Sequence, residues 1–141
     1  MVRVLFVCVE NSARSQMAEA FARIHGAGLV EAWSAGSRPS GRIDPRAVEA
    51  MREQGYDMGT HRSKGLAEAG AGHWDWVVTM GCSDECPWVD AANREDWQLS
   101  DPHGLSGEGF HELRDEIERR VLDLLARIGG TQRAPGSGDC C

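Results

Sequence analysis

The chain has 141 residues, of which 41% are hydrophobic and 26% charged, a balance that suits one soluble domain with one core. Its formal net charge is −7, which argues against nucleic acid and anionic membrane as partners, because both reward clustered Lys and Arg. No apolar run reaches membrane-spanning length and the first residues lack a secretory pattern, so a cytoplasmic protein is expected. Five Cys in such a chain fit a reducing compartment, where thiols act in catalysis, metal binding or redox chemistry.

In chain order, residues 3–7 read as a first strand, and residues 8–15 as a small polar loop. The helix after it carries Met17, Ala18, Phe21, Ala22 and Ile24 near helical period, with Gly26 as its stop. Residues 29–33 read as a second strand and 34–41 as a loop. Asp44-Pro45 marks a helix start, with Ala47, Val48 and Met51 inward and Gly55 ending it. A short helix is expected over 61–69, a third strand over 74–80, and a weak fourth around 97–99. Leu113, Ile117, Val121, Leu124, Leu125 and Ile128 share one face of a final helix over 108–128. Residues 1–128 then form a single domain, and the Gly- and Pro-rich residues 129–141 form a flexible tail. Alternating strands and helices predict an α/β fold, a three-layer sandwich with a four-stranded parallel sheet flanked by helices. Ligands of such sheets bind beyond the carboxyl ends of the strands, where Cys8 and Cys82 both fall.

The loop Cys8-Val9-Glu10-Asn11-Ser12-Ala13-Arg14-Ser15 lies between a strand and a helix, the context that gives Cys-x5-Arg-Ser its meaning. Backbone N–H groups and a helix N-terminus converge there on one spot, and Arg14 adds a bidentate fork for a tetrahedral oxyanion. The same positive field favours the thiolate of Cys8, so one loop holds a nucleophile and a cradle for its target. Asn11 and Ser15 can brace it: Asn tolerates left-handed backbone, and Ser15 can donate to the sulfur.

At these residues the chain resembles the low-molecular-weight tyrosine phosphatase superfamily, and the string from Val4 to Ala20 resembles its arsenate reductase branch. The resemblance extends with gaps from Val2 to about Ile128. It implies the four-stranded parallel fold just described, with Cys8 as nucleophile. It also implies that Asp101, in Ser100-Asp101-Pro102-His103, is the general acid, although Asp-Pro alone reads equally as a turn. Phosphatases of this superfamily follow Asp-Pro with aromatic residues that stack on a phosphotyrosine ring. Here His103 and Gly104 follow, which argues against phosphotyrosine. Glu19 and Ser34 match positions where some members hold a potassium ion. An Asp that completes the site there is replaced here by Lys64, so no metal is expected.

Cys82 and Cys86 are four residues apart and would share a face if helical, about 6 Å apart at Cα. They read as a redox pair, with a metal site or simple packing as alternatives. Gly81 and Pro87 would let the segment unwind on oxidation. In the reductase branch a nucleophilic Cys is followed by two redox Cys. The resemblance therefore implies that Cys82 attacks the Cys8 adduct and Cys86 relays the disulfide outward. The two later Cys are closer together here than in the best-known thioredoxin-coupled form. Cys140-Cys141 could capture arsenite or serve as an extra reductant, or be inert. The five His are expected at the surface, and none is assigned to catalysis.

The reading is thus an arsenate reductase with catalytic residues Cys8, Arg14, Asp101, Cys82 and Cys86. Residues Val9, Glu10, Asn11, Ser12, Ala13, Arg14 and Ser15 bind the oxyanion, with Asn11, Ser15, Glu19, Ser34 and Lys64 in support. No cofactor is bound. The reductant is external, either thioredoxin or glutathione or mycothiol with a glutaredoxin-like protein. Phosphate would compete with arsenate, and a monomer is expected. The alternatives are a phosphatase acting on phosphotyrosine or small phosphate esters, and a non-catalytic arsenite- or metal-binding module built on Cys82, Cys86 and the terminal Cys140-Cys141 pair.

Overall fold

The computed structural model describes residues 1–69, 72–81 and 89–132. In chain order it has β1 (Val2–Cys8), α1 (Arg14–His25), β2 (Val30–Gly36), α2 (Pro45–Arg52), α3 (Leu66–Ala69), β3 (Trp74–Thr79), β4 (Ala91–Asp96), a 3-10 turn (Pro102–Gly104) and α4 (Gly107–Gln132). The four strands form one parallel sheet in the order β2-β1-β3-β4. The expected architecture is the observed one.

β1 lies inside this sheet and buries both faces, which is why it reads as a continuous apolar run rather than an alternating one. Val2, Val4, Phe6 and Cys8 join the main core with residues of α1, α2 and α4. Leu5 and Val7 join a smaller core with Ala35, Ala69, Trp74 and Val77. The six apolar positions predicted along the last helix are all buried, and Phe110 joins them one turn earlier. β1 pairs with β2 from Val2↔Val30 to Cys8↔Gly36, so Cys8 ends its strand at the carboxyl edge of the sheet.

α2 forms as its sequence dictates. The Asp44 carboxylate accepts the Arg46 N–H at 2.9 Å and Pro45 occupies the first turn. The turn after it closes through Gly55 N–H to the Arg52 carbonyl and Tyr56 N–H to the Met51 carbonyl, with Gly55 at φ +80°. Tyr56 is thereby turned back toward the body of the domain.

Several expectations give way to tertiary context. The fourth strand is Ala91–Asp96, not 97–99. It is an edge strand with mostly exposed side chains, so it lacks the apolar alternation that marks a strand in sequence. The apolar signal belongs instead to Trp97, which is buried against Phe6 just past the strand. β2 continues to Gly36, because Ser34, Ala35 and Gly36 are small enough to pass beneath the loop after β1. Within 61–69 only Leu66–Ala69 is helical. Residues 61–65 run extended because the Lys64 carbonyl accepts the Gly36 N–H and the Lys64 N–H donates to Asn11. Ile24 is 39% exposed rather than inward. Val48 is only half-buried, packed at the core's edge. The last helix extends past residue 128 to Gln132. The rest of the predicted tail, residues 133–141, lies outside the described residues.

Candidate active site

The site starts from where the carbonyls of the loop after β1 go. Those of Cys8 and Val9 accept the N–H groups of Ser37 and Arg38. That of Glu10 accepts from Ser40 N–H and Ser63 Oγ, that of Asn11 from Gln16 Nε2, and those of Ser12 and Ala13 from Asp44 N–H and Met17 N–H. In a trans peptide the next N–H opposes each carbonyl. With every carbonyl from Cys8 to Ala13 taken up, the N–H groups of Val9 to Arg14 turn the other way, an arrangement suited to an anion nest. The Asn11 N–H confirms the direction, pointing at Cys8 Sγ from 3.3 Å. Asn11 sits at φ +52°, the left-handed conformation that the inversion of the chain requires.

Two glycines make room for this loop. A Cβ on Gly36 would stand 2.6 Å from the Val9 carbonyl, and one on Gly81 would stand 2.5 Å from Arg14 Nη1. α1 begins at Arg14 with no side-chain cap and no acidic residue in its first turn, so its N-terminal N–H groups remain available to an anion.

Cys8 is a free thiol, 2% exposed, with Ser15 Oγ 2.9 Å from its sulfur. It lines a cleft of about 480 Å³ together with the loop, the buried Arg14, Gly81 and, on the facing wall, Leu99 and Asp101–His103. The Asp101 carboxylate caps the 3-10 turn by accepting the His103 N–H at 3.0 Å, and it contacts His103 Nδ1 at 2.9 Å. These two bonds, with the nearby His103 and Arg14 charges, hold its carboxyl below the usual carboxylate range. His103 Nε2 lies 3.4 Å from Glu10 Oε2, so the imidazole spans the mouth from the acid loop to the anion loop.

Beneath the loop, the Glu19 carboxylate accepts from Ser34 Oγ at 2.5 Å and meets Arg23 Nη2 at 2.6 Å and Lys64 Nζ at 4.0 Å. Burial pushes the Lys64 ammonium down and Glu19 opposes the shift. Two side-chain cations already face this carboxylate, so the residues present do not fit the potassium site of some superfamily members.

A family model for low molecular weight phosphotyrosine protein phosphatases matches residues 3–134. The chain belongs to that family. A glutaredoxin arsenate reductase of Synechocystis sp. is 41% identical over 131 residues, covering 91% of this chain and 99% of the relative. A solved structure described as an arsenate reductase in the phosphate binding state superposes with a TM-score of 0.81 at 40% identity, covering 91% of this chain and 99% of that one. A thioredoxin-dependent arsenate reductase of Corynebacterium glutamicum has a TM-score of 0.78 at 34% identity, covering 94% of this chain and 64% of that one.

Of the residues singled out in sequence, the structure gathers Cys8, Val9, Glu10, Ser12, Ala13, Arg14 and Asp101 around one cleft. Asn11 and Ser15 are fully buried behind it, and Glu19, Ser34 and Lys64 cluster below. Cys82, Cys86, Cys140 and Cys141 lie outside the described residues. The expectation that every His is a surface residue fails at His61, which is half-buried between Tyr56 and Gln16, whereas His103 is exposed and lines the cleft from its rim. Sequence reading also missed Arg38 on the cleft wall. Its place directly after a parallel strand's carboxyl end was the available signal.

Proposed function

We propose that the protein reduces arsenate to arsenite by a thiol relay. The observation that carries this reading is the cleft itself: one buried thiol faces an inward-turned set of backbone N–H groups, Arg14 and a carboxyl. Arsenate sits in the nest with Arg14 as its clamp. The Cys8 thiolate attacks arsenic, and an oxygen leaves as water with a proton supplied through Asp101. The incoming anion brings negative charge beside that carboxyl and opposes the bonds that keep it ionised in the free enzyme. Cys82 then attacks the Cys8 sulfur. The sulfur–arsenic pair of electrons stays with arsenic, arsenite departs, and a Cys8–Cys82 disulfide remains. Cys86 exchanges into that disulfide and frees Cys8. Gly81, the residue before Cys82, lines the cleft beside Arg14, which supports delivery of the second thiol to this site.

An external dithiol protein of the thioredoxin type, or glutathione or mycothiol with a glutaredoxin-like protein, restores the thiols. Both kinds of reductant figure in the names of the relatives. Phosphate occupies the same nest as a competitor, and residual phosphatase activity on small esters is expected from the family's chemistry. The protein works in a reducing cytoplasm as a monomer. Met1, Ile24 and Leu122 are the exposed large apolar side chains among the described residues, too few and too scattered for a stable interface.

The test is arsenate-dependent NADPH oxidation with thioredoxin and thioredoxin reductase, run in parallel with glutathione, glutaredoxin and glutathione reductase. Wild type should turn over with one system, and Cys8→Ser, Cys82→Ser and Cys86→Ser should each abolish turnover. Inactivity with both systems would sink the reductase. Phosphate-ester turnover unaffected by Cys82→Ser, without arsenate reduction, would establish a phosphatase.

A further inference from the structure

The polar groups behind Cys8 form a continuous line that reaches residues far outside the nest. Tyr56 Oη lies 2.7 Å from His61 Nε2, and His61 Nδ1 lies 2.8 Å from Gln16 Oε1. Gln16 Nε2 donates to Asn11 Oδ1 at 2.9 Å, Asn11 Nδ2 donates to Ser15 Oγ at 2.8 Å, and Ser15 Oγ lies 2.9 Å from Cys8 Sγ. Gln16, Asn11 and Ser15 are fully buried.

The orientation of the two amides follows from fixed backbone groups, and the remaining directions follow from theirs. The Lys64 backbone N–H donates to Asn11 Oδ1, so that atom is the acceptor oxygen and the Asn11 amide nitrogen faces Ser15. Gln16 Nε2 also faces the carbonyls of Asn11 and Arg62, its two hydrogens shared among three acceptors, so Gln16 turns its oxygen to His61. His61 Nδ1 therefore carries a hydrogen. Burial pushes the His61 imidazole down, with Arg23 and Lys64 acting the same way and Glu19 opposing, so Nε2 is left as an acceptor for the Tyr56 hydroxyl. Ser15, already accepting from Asn11, has its own hydrogen free for the sulfur. Every link donates toward Cys8. Aligned bonds of this kind polarise one another and strengthen the last one, which here ends on the atom that carries negative charge.

We infer that His61 and Tyr56 are positioning residues for the Cys8 thiolate, acting through Gln16, Asn11 and Ser15 to stabilise the charged nucleophile. This inference rests on Cys8 being the reactive thiol, but not on arsenate being its substrate. Tyr56 is held in place by the turn that ends α2, so the nucleophile is tuned from an element that never touches the substrate.

The test is the rate of Cys8 alkylation by iodoacetamide at neutral pH, with the modified peptide identified by mass spectrometry to separate it from the other four thiols. Each hydrogen bond adds about 10–30% to its neighbour, so Tyr56→Phe should slow alkylation by about twofold or less and His61→Leu by somewhat more. His61→Asn, which keeps a donor for Gln16, should fall between wild type and His61→Leu. The pH midpoint of alkylation should move up in the same order, while a purely structural role would lower the melting temperature without moving it. Wild-type alkylation profiles in Tyr56→Phe and His61→Leu would overturn the inference, as would His61→Asn behaving no better than His61→Leu. No arsenate is present in this assay, so failure of the reductase reading leaves its outcome unaffected.

Discussion

The loop from Cys8 to Ser15 is mostly buried and tied at each carbonyl from Cys8 to Ala13, whereas the loop across the cleft is anchored by Pro102 and by the Arg46 bond to the Leu105 carbonyl but leaves Asp101 and His103 exposed. The Asp101 side chain is 68% exposed and that of His103 65%, against full burial for Asn11 and Ser15. On the proposed mechanism the difference separates two tasks. Recognition of a tetrahedral anion needs donors fixed before the ligand arrives, because reorganisation at that moment would cost binding energy. Proton delivery needs only one group within reach of the leaving oxygen. It is better served by a side chain whose ionisation responds to what enters the cleft.

The largest effect that tests this division is on the exposed side. Asp101→Asn should lower kcat for arsenate by about 10²–10⁴-fold, the usual worth of a positioned general acid, while the melting temperature stays near wild type. A comparable loss of arsenate or phosphate binding would instead make Asp101 part of the recognition wall.

The reverse pattern should hold on the buried side. Gly36→Ala drives a Cβ against the Val9 carbonyl, a backbone atom that cannot move without the nest. A loss of about 1–3 kcal/mol in stability is expected from overpacking of this kind, together with weaker phosphate competition. Calorimetric titration with phosphate and thermal unfolding check the two parts. Unchanged affinity would mean that the nest tolerates displacement and is less rigid than its bonds imply.

How far each side was legible in sequence follows from the same contrast. β1, the loop and α1 carry their information locally: an apolar run, a Cys-x5-Arg-Ser string and a helical period. Each agreed with the structure to within a residue or two. The α4 core face was equally plain, because a long buried stripe has an unmistakable period. Asp101 was placed by its Asp-Pro string and by family resemblance, since turn chemistry alone is shared by many surface loops. β4 was misplaced because an edge strand such as Ala91–Asp96 need not be apolar. His61 was missed for a different reason. Its partner Gln16 is 45 residues away, and no local pattern marks a contact made across the fold. Residues 61–65 illustrate the same point: they read as helix but run extended to serve Asn11 and β2.

A smaller effect is expected where the two sides touch. His103 reaches from Asp101 to Glu10, but both contacts are open to water, and exposed pairs are worth about 0–1 kcal/mol. His103→Gln should therefore change kcat/KM for arsenate by less than about fivefold, a limit set by that range. A drop approaching that of Asp101→Asn would mean that the imidazole, not the carboxyl, carries the proton, and the steady-state pH profile would show it.

The smallest expected effect lies beneath the nest. Glu19 is met by Arg23 and Lys64, so its charge is matched from within the chain and a bound monovalent cation would bring a third positive charge to one carboxylate. Exchanging sodium for potassium at constant ionic strength should leave the wild-type kcat and KM unchanged. Lys64→Ala removes one of those cations and leaves Glu19, with Ser34 Oγ on it, and the Arg62 carbonyl facing the gap. In that variant potassium should raise the melting temperature and kcat more than sodium does. A potassium response in wild type would mean that the buried ammonium yields its place. The rigidity of the anion loop would then depend on an exchangeable ion, whereas the contrast between the two walls requires that the chain itself supply it.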